Sequence, residues 1–164
     1  MRGDLAWMKR YALSRGLCCG EFETLWNDAG DIGALMDMAT RTEGMEFMGK
    51  AFCSPWGMSE SSTVRMFSGW INGAWQGRHG RYTAEIWCGS WSGVTFTSRS
   101  TLTLIAHSEM TFVVPRGRFC KLLLSGRGKV DIRCGGRVIV ETYGKEMGMT
   151  IGGEGRWTVR AADI

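Results

Sequence analysis

From about residue 81 the chain repeats a short apolar–polar alternation at intervals of about nine residues, and that spacing limits the fold more than any other feature. "YTAEIWC" sets Ala84, Ile86 and Cys88 on one face of a strand and Trp87 on the other. Val94 and Phe96 come next, then Leu102 and Leu104, then Met110, Phe112 and Val114, then Cys120, Leu122 and Leu124. Val130, Ile132 and Cys134 follow, then Val138 and Val140, Met149 and Ile151, and last Trp157 and Val159. Most intervening residues are Thr, Lys, Arg, Asp or Glu, as suits a strand with one face in a core.

The breaks between these phrases, such as "SRS", "AHSE", "PRGR", "SGRGK" and "GGEG", are short and rich in small residues. Asn-Gly and Asp-Gly, which favour two-residue hairpins, do not occur after residue 81. Nine near-equal strands with such corners predict a β-solenoid, each phrase being one wall of a stack whose apolar edge the next coil covers. A small antiparallel β-sandwich is the alternative. In the solenoid register Leu104, Phe112, Leu122 and Ile132 are expected inside, and Thr103, Thr111, Lys121 and Asp131 outside.

Before residue 75 the spacing is helical. "DLAWMKRYAL", "EFETLWNDA", "DIGALMDMAT", "TEGMEFMGKAF" and "SESSTVRMFSGWI" each place apolar residues three and four apart, with Asp31 a good N-cap for the third. Such short helices are not stable alone and must pack on one another or on the strands. The fold class is therefore α+β: an N-terminal cluster of short helices over residues 1–78, then a C-terminal β-solenoid region over 79–164.

The 24 glycines follow no Gly-X-Y period, so they mark turns. No apolar run is long enough to span a bilayer. "MRGDLAWMKRYALSRGL" lacks the apolar core and small-residue cleavage site of an export signal, so the six cysteines are expected to be reduced. Residues 1–80 hold eight Lys/Arg against nine Asp/Glu, and residues 81–164 twelve against seven. The strand half is mildly basic, without the charge block of a nucleic-acid tail.

In the order "YALSRGLC", "LMDMA", "GMEFM", and a tail running from "RYTAEIWC" to "RVIVETYGKEMGMTI", the chain resembles an uncharacterised family from Bacteroidales genomes and their prophages. That family pairs a helical leader with a short β-solenoid-like tail. The resemblance implies a phage or mobile-element origin and a host-cytoplasm or virion setting, and it carries over no catalytic residue.

Chemistry is thinly spread. There is no C-x-x-C, no H-E-x-x-H and no histidine pair at helical spacing, so no metal or cofactor site is expected. His79 lies at the junction and His107 in a turn; either could serve Cys88 or Cys120 as a base only if the fold brought them together. "SGRGK" and "GGEG" lack the spacing of a phosphate loop and read as turns.

The reading is a non-enzymatic structural or protein-binding module, with a virion component or host factor as partner. An anti-defence inhibitor of a host effector, such as a nucleic-acid-guided nuclease, is the alternative, and a small Cys/His hydrolase a remote one. Arg133, Arg137, Arg156 and Arg160 are expected to stack into one outward stripe that attracts an acidic protein or nucleic acid. Trp75, Trp87 and Trp91 form either the seam between the halves or a second partner-binding patch. A second copy of the chain is a further partner class.

Overall fold

Strands dominate the structure, a computed structural model that describes residues 10, 20–53, 74–79, 82–88 and 92–162. Three helices come first: α1 (Gly20–Asp28), α2 (Ile32–Ala39) and α3 (Thr42–Phe52). Then come β1 (Ala74–His79), β2 (Tyr82–Cys88), β3 (Ser92–Thr97), β4 (Leu102–Ala106) and β5 (Glu109–Val114). The series ends with β6 (Phe119–Ser125), β7 (Gly128–Cys134), β8 (Arg137–Thr142), β9 (Met147–Gly152) and β10 (Arg156–Ala161).

From β2 onward the chain changes wall at every corner. One wall has the order β1-β2-β4-β6-β8-β10 and the other the order β3-β5-β7-β9. From β2 onward every neighbouring pair is parallel, so the molecule is a parallel β-solenoid and the antiparallel sandwich is excluded. The corners are too short for a crossover helix, and each strand is covered by the strand one whole coil further along.

Two cores result, one on each side of the first wall. Between the walls lie Ile105, Phe112, Leu122, Leu124, Val130, Ile132, Val138 and Val140. On the outer side of the first wall, Trp26, Met45, Met48 and Phe52 of the helices pack against Ile86, Leu104, Leu123 and Tyr143. The helices are amphipathic in the expected way: Asp31 Oδ1 accepts the Ala34 N–H at 2.8 Å and caps α2. Gly49 lets α3 approach closely, because a Cβ there would lie 2.9 Å from the Tyr143 ring.

This second core corrects part of the expected register. Leu104, Phe112, Leu122 and Ile132 are all buried, and Thr111, Lys121 and Asp131 sit on outer faces. Thr103, expected outside, is fully buried, because it stands in register with Leu122 and points between the walls. Leu104 instead faces the helices, in register with Leu123. Strand β4 is buried on both faces, and a two-sided strand gives no alternation from which to choose the inner one.

Strand β1 was not expected. "AWQGRH" carries no clean period of two, yet it pairs antiparallel with β2 from Ala74↔Trp87 to His79↔Tyr82, ahead of the boundary at residue 79. The expected helices in "DLAWMKRYAL", apart from Arg10, and in "SESSTVRMFSGWI" lie outside the described residues.

Candidate functional site: the open end of the coil stack

Parallel pairing points the amides of alternate residues to opposite sides of a strand. Arg156 donates its N–H to Gly136 O and Ala162 donates to Thr142 O, so the even-numbered amides of β10 face β8. The amides of Trp157, Val159 and Ala161 therefore face away, along an edge that no described strand covers. β9 is likewise the last described strand of its wall, so among the described residues both walls end in a free edge at the same end of the stack.

The side chains at this end continue the core columns. Trp157 is in register with Val138, and Val159 with Val140. The two valines are fully buried, whereas Trp157 is 42% and Val159 45% exposed, because no described strand lies opposite β10 in the other wall. Beneath them Met149 and Ile151 of β9 are half-buried against the inner core. The end thus combines free backbone groups with an apolar floor. β10 carries its charges, Arg156 and Arg160, on the outer face, and it has neither proline nor an inward-pointing charge to block an added strand.

At the opposite end the first wall runs one strand further, and β3 is the outermost described strand of the second. There β1 covers the edge of β2, and Trp87 stacks on Phe96 with ring centroids 3.8 Å apart. Trp87 is buried with the inner core, so it forms neither the seam with the helices nor an exposed patch. Trp75 belongs to β1, in register with Ile86, and Trp91 lies outside the described residues. The three tryptophans are not brought together as one binding surface by anything the described residues show.

The four arginines divide between the walls. Arg137 and Arg156 are neighbours in register on the outer face of the first wall, and the Arg137 guanidinium sits 5.7 Å from the centre of the Phe119 ring. Neither has an ion-pair partner among the described residues. Arg160 is on the same wall but bonds Glu141 through both Nε and Nη2 at 2.9 Å. Arg133 is on the other wall, 3.7 Å from Asp131. The single stripe of four is not formed: its basic part reduces to Arg137 and Arg156.

Glu141 is the most enclosed of the charged groups beside the open end. With Glu46, Lys50, Tyr143 and Arg160 it lines a cleft of about 330 Å³ between α3 and the wall. The Tyr143 hydroxyl donates to Glu141 Oε1 at 2.8 Å, and Lys121 Nζ lies 3.6 Å from Oε2. Burial works to raise the Glu141 pKa, but the Tyr143 hydrogen bond, Lys121 and Arg160 together outweigh it and hold the carboxyl below its usual range. Burial, then the bond to Glu141, pushes the Tyr143 hydroxyl up, so it remains a donor.

A depressed folded-state pKa adds stability above the ordinary carboxylate range, and that stability is lost as pH falls through the folded value. Glu141→Gln is expected to cost about 2 kcal/mol at neutral pH, the scale of a charge-assisted hydrogen bond. In thermal melts across pH, the gap from wild type should shrink on acidification; a gap that stays constant would show that the carboxylate charge contributes nothing.

The remaining chemistry is held in structural roles. Burial pushes the Cys88 thiol up to about 12 and the Cys120 thiol up to about 11, the reverse of what a nucleophile needs. His107 Nδ1 accepts the Arg127 N–H at 3.3 Å, and its ring meets the edge of Phe52. The Thr40 hydroxyl donates to Asp37 O, which leaves His79 Nε2, 2.7 Å from Thr40 Oγ1, to donate to that hydroxyl oxygen. Cys53, Cys88, Cys120 and Cys134 are free and buried, while Cys18 and Cys19 lie outside the described residues. Among the described residues no group of His, Cys, Asp or Glu is arranged to hold a metal ion, and no helix is long and apolar enough to cross a membrane.

Comparison of the chain with protein-family models, with curated proteins and with solved structures gave no match.

Proposed function

We propose that the protein is a non-enzymatic binding module that engages another protein chain by extending its two walls. The observation that carries this reading is the open end, where two strand edges without a neighbour among the described residues flank Trp157 and Val159. Strand addition takes main-chain hydrogen bonds from the edge and side-chain contacts from alternate residues, and the outward amides of β10 with the exposed Trp157 and Val159 offer both. The raised thiol pKa values of Cys88 and Cys120 weigh against the Cys/His hydrolase. The division of the arginines between two walls weighs against an inhibitor that docks through one basic face. A mobile-element or virion setting belongs to the same proposal and rests on the resemblance of the sequence pattern.

Val159→Pro tests the reading, because the Val159 amide faces the free edge and proline there removes a docking donor while sparing the bonds to β8. With the protein immobilised, partner capture is expected to fall at least tenfold for Val159→Pro and to survive Arg137→Glu with Arg156→Glu. Capture lost in the arginine pair and kept in Val159→Pro would move the docking surface to the basic column and overturn the proposal.

A further inference from the structure

We infer that the occupant of the open end is a second copy of this chain, docked end to end about a twofold axis that runs along the strand direction. The inference rests on the binding-module reading and names its partner. An occupant must satisfy two edges at once, and these edges are laid down half a coil apart, β9 in one wall before β10 in the other, so a winding chain offsets them. A single added strand covers one edge and leaves the other bare. An identical end turned over by the twofold carries the complementary offset, setting β10 of one copy beside β9 of the other and the reverse. Head-to-tail stacking fits one wall only: at the far end β1 carries the first wall one strand past β2, while β3 has no such addition, so the second walls would not meet.

The residue types agree with this pairing. The chain reverses direction between the walls at each short corner, so β10 and the partner's β9 run antiparallel. Taking Val159 opposite Met149 overlaps the two strands fully. It brings the inward residues Trp157 and Ala161 opposite Ile151 and Met147, and so closes the apolar floor. The amides of Met149 and Ile151 lie on the free side of β9 by the same alternation that frees Trp157 and Val159, so these inward pairs are the hydrogen-bonded ones. On the outer face Arg156 meets Gly152, Thr158 meets Thr150, and Arg160 meets Gly148. No like charges are opposed, and each large arginine lies against a glycine. Pairing β10 with a second β10 about Thr158 would instead set Arg156 against Arg160, a destabilising contact. The interface is isologous and closes at two chains.

The test uses the full chain. Sedimentation velocity over a concentration series is expected to show a species of two 18.2 kDa chains for wild type and a single chain for Val159→Pro. The register is read separately by Thr150→Cys with Thr158→Cys. This non-hydrogen-bonded cross-strand pair would have its Cα atoms about 4.5 Å apart, within disulfide range. Under oxidising conditions that double variant should run as a covalent dimer, whereas wild type and either single variant should not. A wild type that stays single at every concentration, with no excess cross-linking of the double variant, overturns the inference. If that protein still captures a different chain, and Val159→Pro does not, the binding-module reading stands while the second copy is excluded as its partner.

Discussion

Replacing Leu122 with aspartate is expected to unfold the coil stack. Leu122 has no exposed surface, and it sits in an inward column between Thr103 and Val140. A carboxylate there has no partner within the apolar interior, and burying it costs several kcal/mol. That is a large share of the stability of about 5–15 kcal/mol that a domain has. Thr103→Asp is expected to be costly too, although the sequence pattern alone placed Thr103 outside. Its side chain is fully buried, and its register neighbour on β2 is the buried Glu85, so a second carboxylate would stand beside the first. Thr111→Asp, on the outer face of the other wall, meets Asp131 in register, but that carboxylate is half exposed and lies 3.7 Å from Arg133, so a cost of no more than about 1 kcal/mol is expected. Denaturant titration of the three variants checks the assignment. A Thr103→Asp protein as stable as Thr111→Asp would mean that the inner face of β4 is the other one.

Gly128→Ala is the second change expected to be severe. Gly128 opens β7 with φ +135, a backbone conformation that L side chains rarely adopt. A Cβ at this position would lie 2.1 Å from the Ser108 carbonyl oxygen, which also accepts the Lys129 N–H that starts the next coil. The added methyl therefore collides with fixed backbone at a corner, and the corner cannot move without losing that hydrogen bond. Strain of this kind costs about 1–3 kcal/mol before the lost contact is counted, so about 3 kcal/mol or more is expected. Gly117→Ala isolates the conformational part: φ is +79, but nothing lies within 4 Å, and about 1 kcal/mol is expected. Equal melting temperatures for the two variants would show that the corner at Ser108 is not as close as described.

The walls of the solenoid were legible because period-two alternation, near-equal spacing and small-residue corners all pointed the same way. The N-cap at Asp31 and the buried Met48 and Phe52 were legible for the same reason, since α2 and α3 are amphipathic. What the pattern did not give was the side of each strand. In β4, Leu102 and Leu104 turn to the helices while Thr103 and Ile105 turn inward, and nothing local distinguishes the two faces when both are buried. β1 was invisible because Ala74–His79 owes its strand form to β2 as a template. The arginine stripe failed because equal positions in successive strands fall on alternate walls. Arg133 and Arg137, four residues apart in sequence, end on opposite sides of the molecule. Trp157 and Val159 were read correctly as a strand face, but their exposure depends on which strand comes last in the stack.

Residue-resolved amide hydrogen exchange is the most direct measurement of whether the open end is the docking surface. In dilute protein the amides of Trp157, Val159 and Met149 should exchange quickly, while those of β4 and β6 exchange slowly. On raising the concentration, or on adding a captured partner, protection should appear at those edge amides and leave the outer faces of both walls unchanged. Edge amides that keep exchanging quickly in the bound state, with new protection on the Arg137–Arg156 face or on the helices, would contradict it.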